Sequence, residues 1–329
     1  MVVPLIPLVH KKLHDMYNLI LSKDEESLFH SQKTDLNNMN EIRFDETVFD
    51  FGIKYRIIST DYMMVHIKII GWEIVKEDAL SSLIRNFGTD CVISEIDLYN
   101  QDYPLNQVAA DFNVTLIFRN SSAQNIQISL ITHIRTQILG SRLSRVFQLI
   151  DEMHSVNIEN NQETEVFCIP IQRNFKICDK NHIFKMTVSY RIDRVTVVIP
   201  MPFPDETDRA FAKLFLQQLQ QEQRNSAGKT APLCTYRRSS EPPVEFLAYD
   251  GHEKEEEEEK RRKVLAGYCS LTFLKINVDT EGKRQKATEN VLMFYDFVDC
   301  YAKKMKLVLN AKLRQKHSEM LHRINQLEK

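Results

Sequence analysis

No proline or glycine follows Gly282, and along the closing segment apolar side chains recur at Val291, Tyr295, Val298, Ala302, Met305, Leu309, Leu313, Met320, Ile324 and Leu327. The steps are mostly three and four, the spacing that lays one stripe along a helix of about 3.6 residues per turn. A single helix is therefore expected over about 288–326. At ~1.5 Å per residue, its roughly 39 residues span roughly 58 Å. A domain of ~170 residues has a radius of gyration near ~15 Å and a diameter of roughly 40 Å. About a third of the stripe thus has no room on its own domain. The first half is expected to cover a core. The second half is expected to pair with a helix of another chain, coiled-coil fashion. The seam would consist of Val298, Ala302, Met305, Leu309, Leu313, Met320 and Ile324.

The same segment carries charge of one sign. From Tyr301 to Lys329, Lys or Arg occupies positions 303, 304, 306, 312, 314, 316, 323 and 329, against Glu319 and Glu328, while the whole chain carries a net charge of only −2. The helix therefore offers a local basic surface on a near-neutral protein. A nucleic-acid-binding role for this basic helix is the alternative reading, although basic and aromatic residues do not interleave on the strands.

With 329 residues, 43% of them apolar and 27% charged, the chain has material for two ordinary globular domains. Helical spacing marks an entry helix at His10–Ser22. Strand patterns follow in IRFDETVFDF, IKYRIIST and YMMVHIKII, then a short helix at Glu77–Asn86 and strands at Cys91–Leu98 and Asn113–Phe118. An amphipathic helix is expected over Ser129–Met153. The polar, Asn-rich stretch after it sets the expected division: a first α/β domain at 1–154, a linker at 155–163 and a second α/β domain at 164–329. The second half repeats the plan with EVFCIPI, NFKIC, IFKMTVSY and RVTVVIPM. A helix over 206–224 follows, with Asp205 as its N-cap candidate, then PLCTY, EPPVEF, the charge run Asp250–Lys263 and a last strand GYCSLTFLKINV. Strands then helix, twice, predicts two α/β sandwich domains with mainly antiparallel sheets, plus the long C-terminal helix.

Motifs for chemistry are sparse. Gly-Lys-Thr at 228–230 ends like a phosphate-binding loop, but the first glycine of such a loop is replaced by Gln223, and Pro232 follows where a helix must start. His10 and His14 stand one helical turn apart without a third ligand, and His317 and His322 point to different faces of the long helix. The run Lys254–Lys263 is read as a solvated loop or a self-paired helix, and Arg237-Arg238-Ser239-Ser240 matches a basic-directed kinase site. The six cysteines form no CxxC pair and are expected to be buried reduced thiols of a cytosolic protein. The N-terminus lacks a basic region and has prolines at 4 and 7, so neither a signal peptide nor a membrane span is expected. No catalytic residue, cofactor or metal is expected, though a site built from distant residues stays open.

Three stretches carry a family resemblance. The first is Asp193-Arg-Val-Thr-Val-Val198, with Phe203-x-Asp205 and Lys213-x-Phe215-x-Gln217. The second is Thr230-Ala-Pro232 with Glu241-Pro-Pro-Val-Glu245. The third is the long helix, with Asp296, Lys303, Lys306, Arg314, Lys316, Ser318, Leu321 and Asn325, preceded by Gly267-Tyr268 at the opening of a strand. Over roughly 190–326 the chain resembles the family of subunit 2 of the actin-related protein 2/3 complex, the larger of its two scaffold subunits. The first half is similar mainly in its order of elements and in Phe112-Asn-Val-Thr-Leu-Ile117. The resemblance implies two domains of similar fold and a non-enzymatic role without cofactor. It implies that the C-terminal helix packs antiparallel on that of the smaller scaffold subunit (subunit 4). In the family this pair carries the two actin-related proteins, which bind the nucleotide, and docks on the side of an actin filament so that a branch grows. A cytoplasmic place at sites of branched actin goes with it. Actin is acidic, so Lys303, Lys306, Lys312, Arg314, Lys316 and Arg323 are suited to filament or subunit contact.

Overall fold

The computed structural model describes residues 42–44, 54–59, 62–87, 91–95, 114–119, 134–153, 165–173, 175–177, 180–191, 193–225, 231–250 and 255–327. The expected entry helix with His10 and His14, the polar stretch 155–163 and the Gly-Lys-Thr segment at 228–230 lie outside them. Contacts divide the chain into two compact units, Met1–Arg142 and Leu143–Lys329.

The first unit holds β1 (Ile42–Phe44), β2 (Lys54–Ser59), β3 (Tyr62–Lys68), β4 (Cys91–Glu95) and β5 (Val114–Arg119), in the order β1-β2-β3-β5-β4 with every pairing antiparallel. Between β3 and β4 runs α1 (Trp72–Phe87). Gly71, at φ 70, supplies the left-handed residue that turns the chain from strand to helix, and its carbonyl accepts from the Ile74 amide at 3.0 Å. Helix α1 buries Trp72, Val75, Ala79 and Leu83, steps of three and four. It starts ahead of the expected Glu77 because Trp72 and Val75 extend the same stripe.

The single helix expected over Ser129–Met153 is two. α2 (Ile134–Leu139) ends at Gly140, whose amide still donates to the Thr136 carbonyl at 2.9 Å, and α3 (Ser141–Met153) begins directly after. Glycine inside a helix costs ~1 kcal/mol relative to alanine, and here it marks the break. Leu143, Val146, Phe147 and Ile150 of α3 are buried.

The second unit repeats the topology. Its strands are β6 (Glu165–Pro170), β9 (Lys185–Tyr190), β10 (Arg194–Pro202), β11 (Leu233–Arg237) and β12 (Leu265–Leu274), in the order β6-β9-β10-β12-β11. Counted along the chain, both sheets run first-second-third-fifth-fourth. In both, a helix lies between the third and fourth strands, here α4 (Glu206–Asn225), and helix follows the fifth. A small ribbon, β7 (Phe175–Ile177) with β8 (Lys180–His182), is inserted after β6. One face of the sheet is apolar: Val195, Val197, Ile199 and Met201 of β10 are completely buried beside Val188 and Phe273. The Phe147 ring meets Phe273 at 4.9 Å, which seats α3 in this core.

Local chemistry accounts for the remaining differences from the sequence reading. After β11, the end of EPPVEF opens a helix: α5 (Val244–Asp250) follows Pro243, whose carbonyl accepts from the amides of Phe246 and Leu247. The charge run forms α6 (Glu255–Val264), with Lys263 paired to Glu259 one turn back at 2.9 Å. The last strand stops at Leu274 because Asn277 captures the Leu274 amide at 2.7 Å and starts the short turn α7 (Lys275–Val278). Cys168, Cys234 and Cys269 are buried free thiols, but Cys300 is exposed, because it falls on the outward face of the final helix.

That helix, α8 (Glu281–Leu327), has 47 residues and is roughly 70 Å long at ~1.5 Å per residue. It begins ahead of the expected residue 288 because Thr280 caps it, accepting the Lys283 amide on its hydroxyl at 3.4 Å.

Candidate partner interface on the C-terminal helix

The first half of α8 is core. Ala287, Thr288, Val291, Leu292, Tyr295, Val298, Asp299 and Ala302 are buried. Tyr295 is its anchor. The ring stacks on Phe203 at 5.6 Å and meets Phe175 edge-on at 5.7 Å, and the hydroxyl donates to the Pro202 carbonyl at 2.8 Å. Burial pushes this phenol well above its ordinary pKa, so it stays a donor. Arg173 lies over the same ring at 5.3 Å and reaches Asp299 at 2.9 Å and Asp296 at 3.7 Å. Asp299 also receives Lys303 at 2.9 Å. A carboxylate this buried needs such partners, since an uncompensated charge there costs several kcal/mol. One turn on, Tyr301 and Phe297 close on Phe215 of α4, at 4.2 and 5.6 Å.

Lys306 is a further tie between α8 and its own unit. Its ammonium bonds Asp205 at 3.1 Å and Asp208 at 3.0 Å. Asp205 is the N-cap of α4, accepting the Asp208 amide at 2.9 Å. That amide and Lys306 hold the Asp205 carboxyl below its ordinary pKa, and hydrogen bonds to Asp208 and Asp205 raise that of Lys306.

Among the described side chains past Lys306, residues 307–320, the helix is bare. Residues 307–320 are all exposed, and the segment to Leu327 extends about 21 residues, roughly 32 Å. Leu307 is 67% exposed, Leu313 55% and Met320 63%. Met305, Leu309, Leu313 and Met320, at steps of four and seven, share one side. An apolar face this contiguous on a surface helix is a candidate interaction site.

The residues singled out from the sequence therefore divide. Val298 and Ala302 are completely covered by the chain's own second unit, whereas Met305, Leu309, Leu313 and Met320 are exposed. Among the cations, Lys303 and Lys306 are engaged by carboxylates of this chain, and Lys312, Arg314 and Lys316 lie on the exposed half. The side chains of Arg323 and Ile324 lie outside those described. Leu307 and Val308 belong to the bare surface and were missed, because they fall off the three-and-four stripe. The compact run Met305-Lys-Leu-Val-Leu309 was the signal for them. Gln223, which stands where a phosphate loop needs glycine, instead bonds the Pro232 carbonyl and the Cys234 amide and ties α4 to β11. Among the described residues no group of His, Cys, Asp or Glu is placed to hold a metal. No described helix is long and apolar enough to cross a membrane.

The family model described as "Arp2/3 complex, 34 kD subunit p34-Arc" matches residues 65–328. The chain is similar to the actin-related protein 2/3 complex subunit 2 of Schizosaccharomyces pombe, 45% identical over 64 residues, which are 19% of each chain. It is also similar to the actin-related protein 2/3 complex subunit 2A of Arabidopsis thaliana, 29% identical over 135 residues, 41% of this chain and 39% of that relative. The aligned segments thus span between about a fifth and two fifths of these curated relatives.

Proposed function

This chain belongs to the p34-Arc family, whose model covers residues 65–328, and we propose that it works as a non-enzymatic scaffold subunit of the Arp2/3 complex. The exposed half of α8 pairs with the helix of the smaller scaffold subunit (subunit 4), and the pair forms the core that carries the two actin-related proteins. The assembly docks on the side of an existing actin filament in the cytoplasm and supports branched nucleation. Neither cofactor nor nucleotide is assigned to this subunit. One observation carries this reading: the helix continues for roughly 32 Å past Lys306, its last tie to its own unit among the described side chains, with Leu307, Leu309, Leu313 and Met320 exposed.

The division of labour along α8 follows from the same geometry. Apolar Met305–Met320 suits a permanent subunit contact, where burial contributes about 25 cal/mol per Å² before the costs of association. Lys312, Arg314 and Lys316 suit an acidic filament surface, and that contact weakens with salt, since exposed charges are screened over ~10 Å at 0.1 M. Lys303 and Lys306, paired within the chain, serve to position the helix.

The test is purification of the tagged chain from its native cells at moderate salt, with identification of what co-elutes in stoichiometric amount. Two actin-related proteins and the smaller scaffold subunit are expected. A chain recovered alone, soluble and monomeric, would overturn the proposal.

A further inference from the structure

Two thiols of the second sheet meet at its edge. Cys234 of β11 stands opposite Leu271 of β12, and Cys269 of β12 stands opposite Tyr236. The two cysteines are thus diagonal neighbours, and because side chains alternate along a strand with a period of two, they share one face. That face is the buried one: Cys269 is completely covered and Cys234 is 5% exposed. Their sulfurs approach to 3.3 Å. Cys168, also buried, meets the Thr187 hydroxyl at 3.9 Å instead.

The two sulfurs differ in character. Burial pushes the Cys269 thiol up, so it keeps its proton and donates it to Cys234. That bond holds the Cys234 thiol below its ordinary value. The thiolate is the nucleophile in thiol oxidation, which makes Cys234 the attacking member of the pair. It is also the member nearer solvent: β11 is the edge strand, and its Leu233 is 56% exposed. A disulfide spans ~2.0 Å, so closing the pair from 3.3 Å asks for a movement of only about 1.3 Å.

We propose that Cys234 and Cys269 form a redox switch, oxidised by hydrogen peroxide to a reversible disulfide that locks β11 to β12. In the first step the Cys234 sulfur attacks one peroxide oxygen and the O–O bond breaks. The leaving hydroxide takes up the proton lost by Cys234 and becomes water, and Cys234 becomes a sulfenic acid. In the second step the Cys269 sulfur displaces that hydroxyl. The S–O bond breaks, the S–S bond forms, and the Cys269 proton leaves with the hydroxyl as a second water. Two thiols give up two electrons and one peroxide is reduced to two waters. A small thiol reverses the change by exchange, so in a reducing compartment the pair rests open. When closed, the bond encloses residues 234–269, the stretch that carries α5 and α6. Gln223 of α4 already holds the Cys234 amide, so the cross-link joins α4, β11 and β12 into one restrained block. The switch lies within the second sheet and does not depend on the scaffold reading.

The experiment uses the full chain in the assembly with which it purifies. The assembly is treated with hydrogen peroxide, unfolded in iodoacetamide to cap the remaining thiols, digested and analysed by mass spectrometry. The alkylated Cys234 and Cys269 peptides are expected to disappear together, replaced by one linked species that dithiothreitol converts back to both. Cys269→Ser is expected to halt the reaction at the Cys234 sulfenic acid, trapped as its dimedone adduct. Peroxide that oxidises the exposed Cys300 while Cys234 and Cys269 remain alkylatable overturns the proposal. So does a Cys234–Cys269 link that forms only when the chain is unfolded before oxidation. Both of these readings use the wild-type chain, so they decide the matter even where the Cys269→Ser chain fails to assemble.

Discussion

Replacing both Leu309 and Leu313 by alanine should break the assembly while leaving the chain itself intact. Both side chains lie beyond the last tie of α8 to its own unit, with 44% and 55% of their surface exposed in the isolated chain. Full burial of a leucine side chain contributes about 1.5–3 kcal/mol, so burying the remaining half of each against a partner is worth about 1–1.5 kcal/mol. The pair therefore contributes about 2–3 kcal/mol to association, or roughly 30- to 150-fold in Kd at 1.4 kcal/mol per tenfold. Folding should lose little, because both side chains stay exposed in the folded chain and alanine favours helix slightly more than leucine. The assay is a two-part comparison: thermal unfolding of the double variant in isolation, and competition with wild-type chain for incorporation into the native assembly. Wild-type-like incorporation would refute the partner seam. A large drop in the variant's own stability would refute it too, by showing that this half of α8 folds back on its own chain.

The control lies five turns nearer the start of the same stripe, at Val291, completely buried in the chain's own unit: Val291→Ala should lower the chain's own unfolding free energy by about 2 kcal/mol, measured by denaturant titration. Gly267 has φ +146, and a Cβ there would collide with the Arg237 carbonyl and the Tyr236 ring. Gly267→Ala should therefore cost about 2 kcal/mol or more through strain and displacement of β11, read as a fall in Tm. Arg173→Met takes from Asp296 and Asp299, both in low-exposure sites, the guanidinium they share, leaving Asp299 with Lys303. A loss of about 3 kcal/mol is expected, measured by denaturant titration. The lowered pKa of Asp205 means that its cap contributes above the ordinary carboxylate pKa and is lost as pH falls through the folded value. Lys306→Met should move the Asp205 titration upward in an NMR pH series, and an unchanged midpoint would remove Lys306 from the cap.

Much of this protein was legible without a structure. Most strands and the longer helices carry their own local pattern, so most elements of both units, the Asp205 cap and the existence of the final helix follow from neighbours in the chain. The Gly140 break escaped because periodicity passes across one glycine without interruption. The shared first-second-third-fifth-fourth strand order could not be read, because antiparallel pairing joins residues far apart in sequence, as Thr196 with Thr272, and no local pattern states which strand lies beside which.

For the candidate interface, the sequence by itself determined a helix too long and too apolar along one side to be satisfied by a single domain. Spacing and length suffice for that, since both are properties of the chain alone. The tertiary structure decided where the helix leaves its own core. Val298 and Ala302 continue the same stripe as Leu309 and Leu313 and are chemically indistinguishable from seam residues in sequence. They are buried here because Phe297 and Tyr301 close on Phe215 and because Lys306 is pinned to Asp205 and Asp208. Burial is a property of what the fold places opposite a side chain, and what stands opposite was set by α4, nearly a hundred residues earlier.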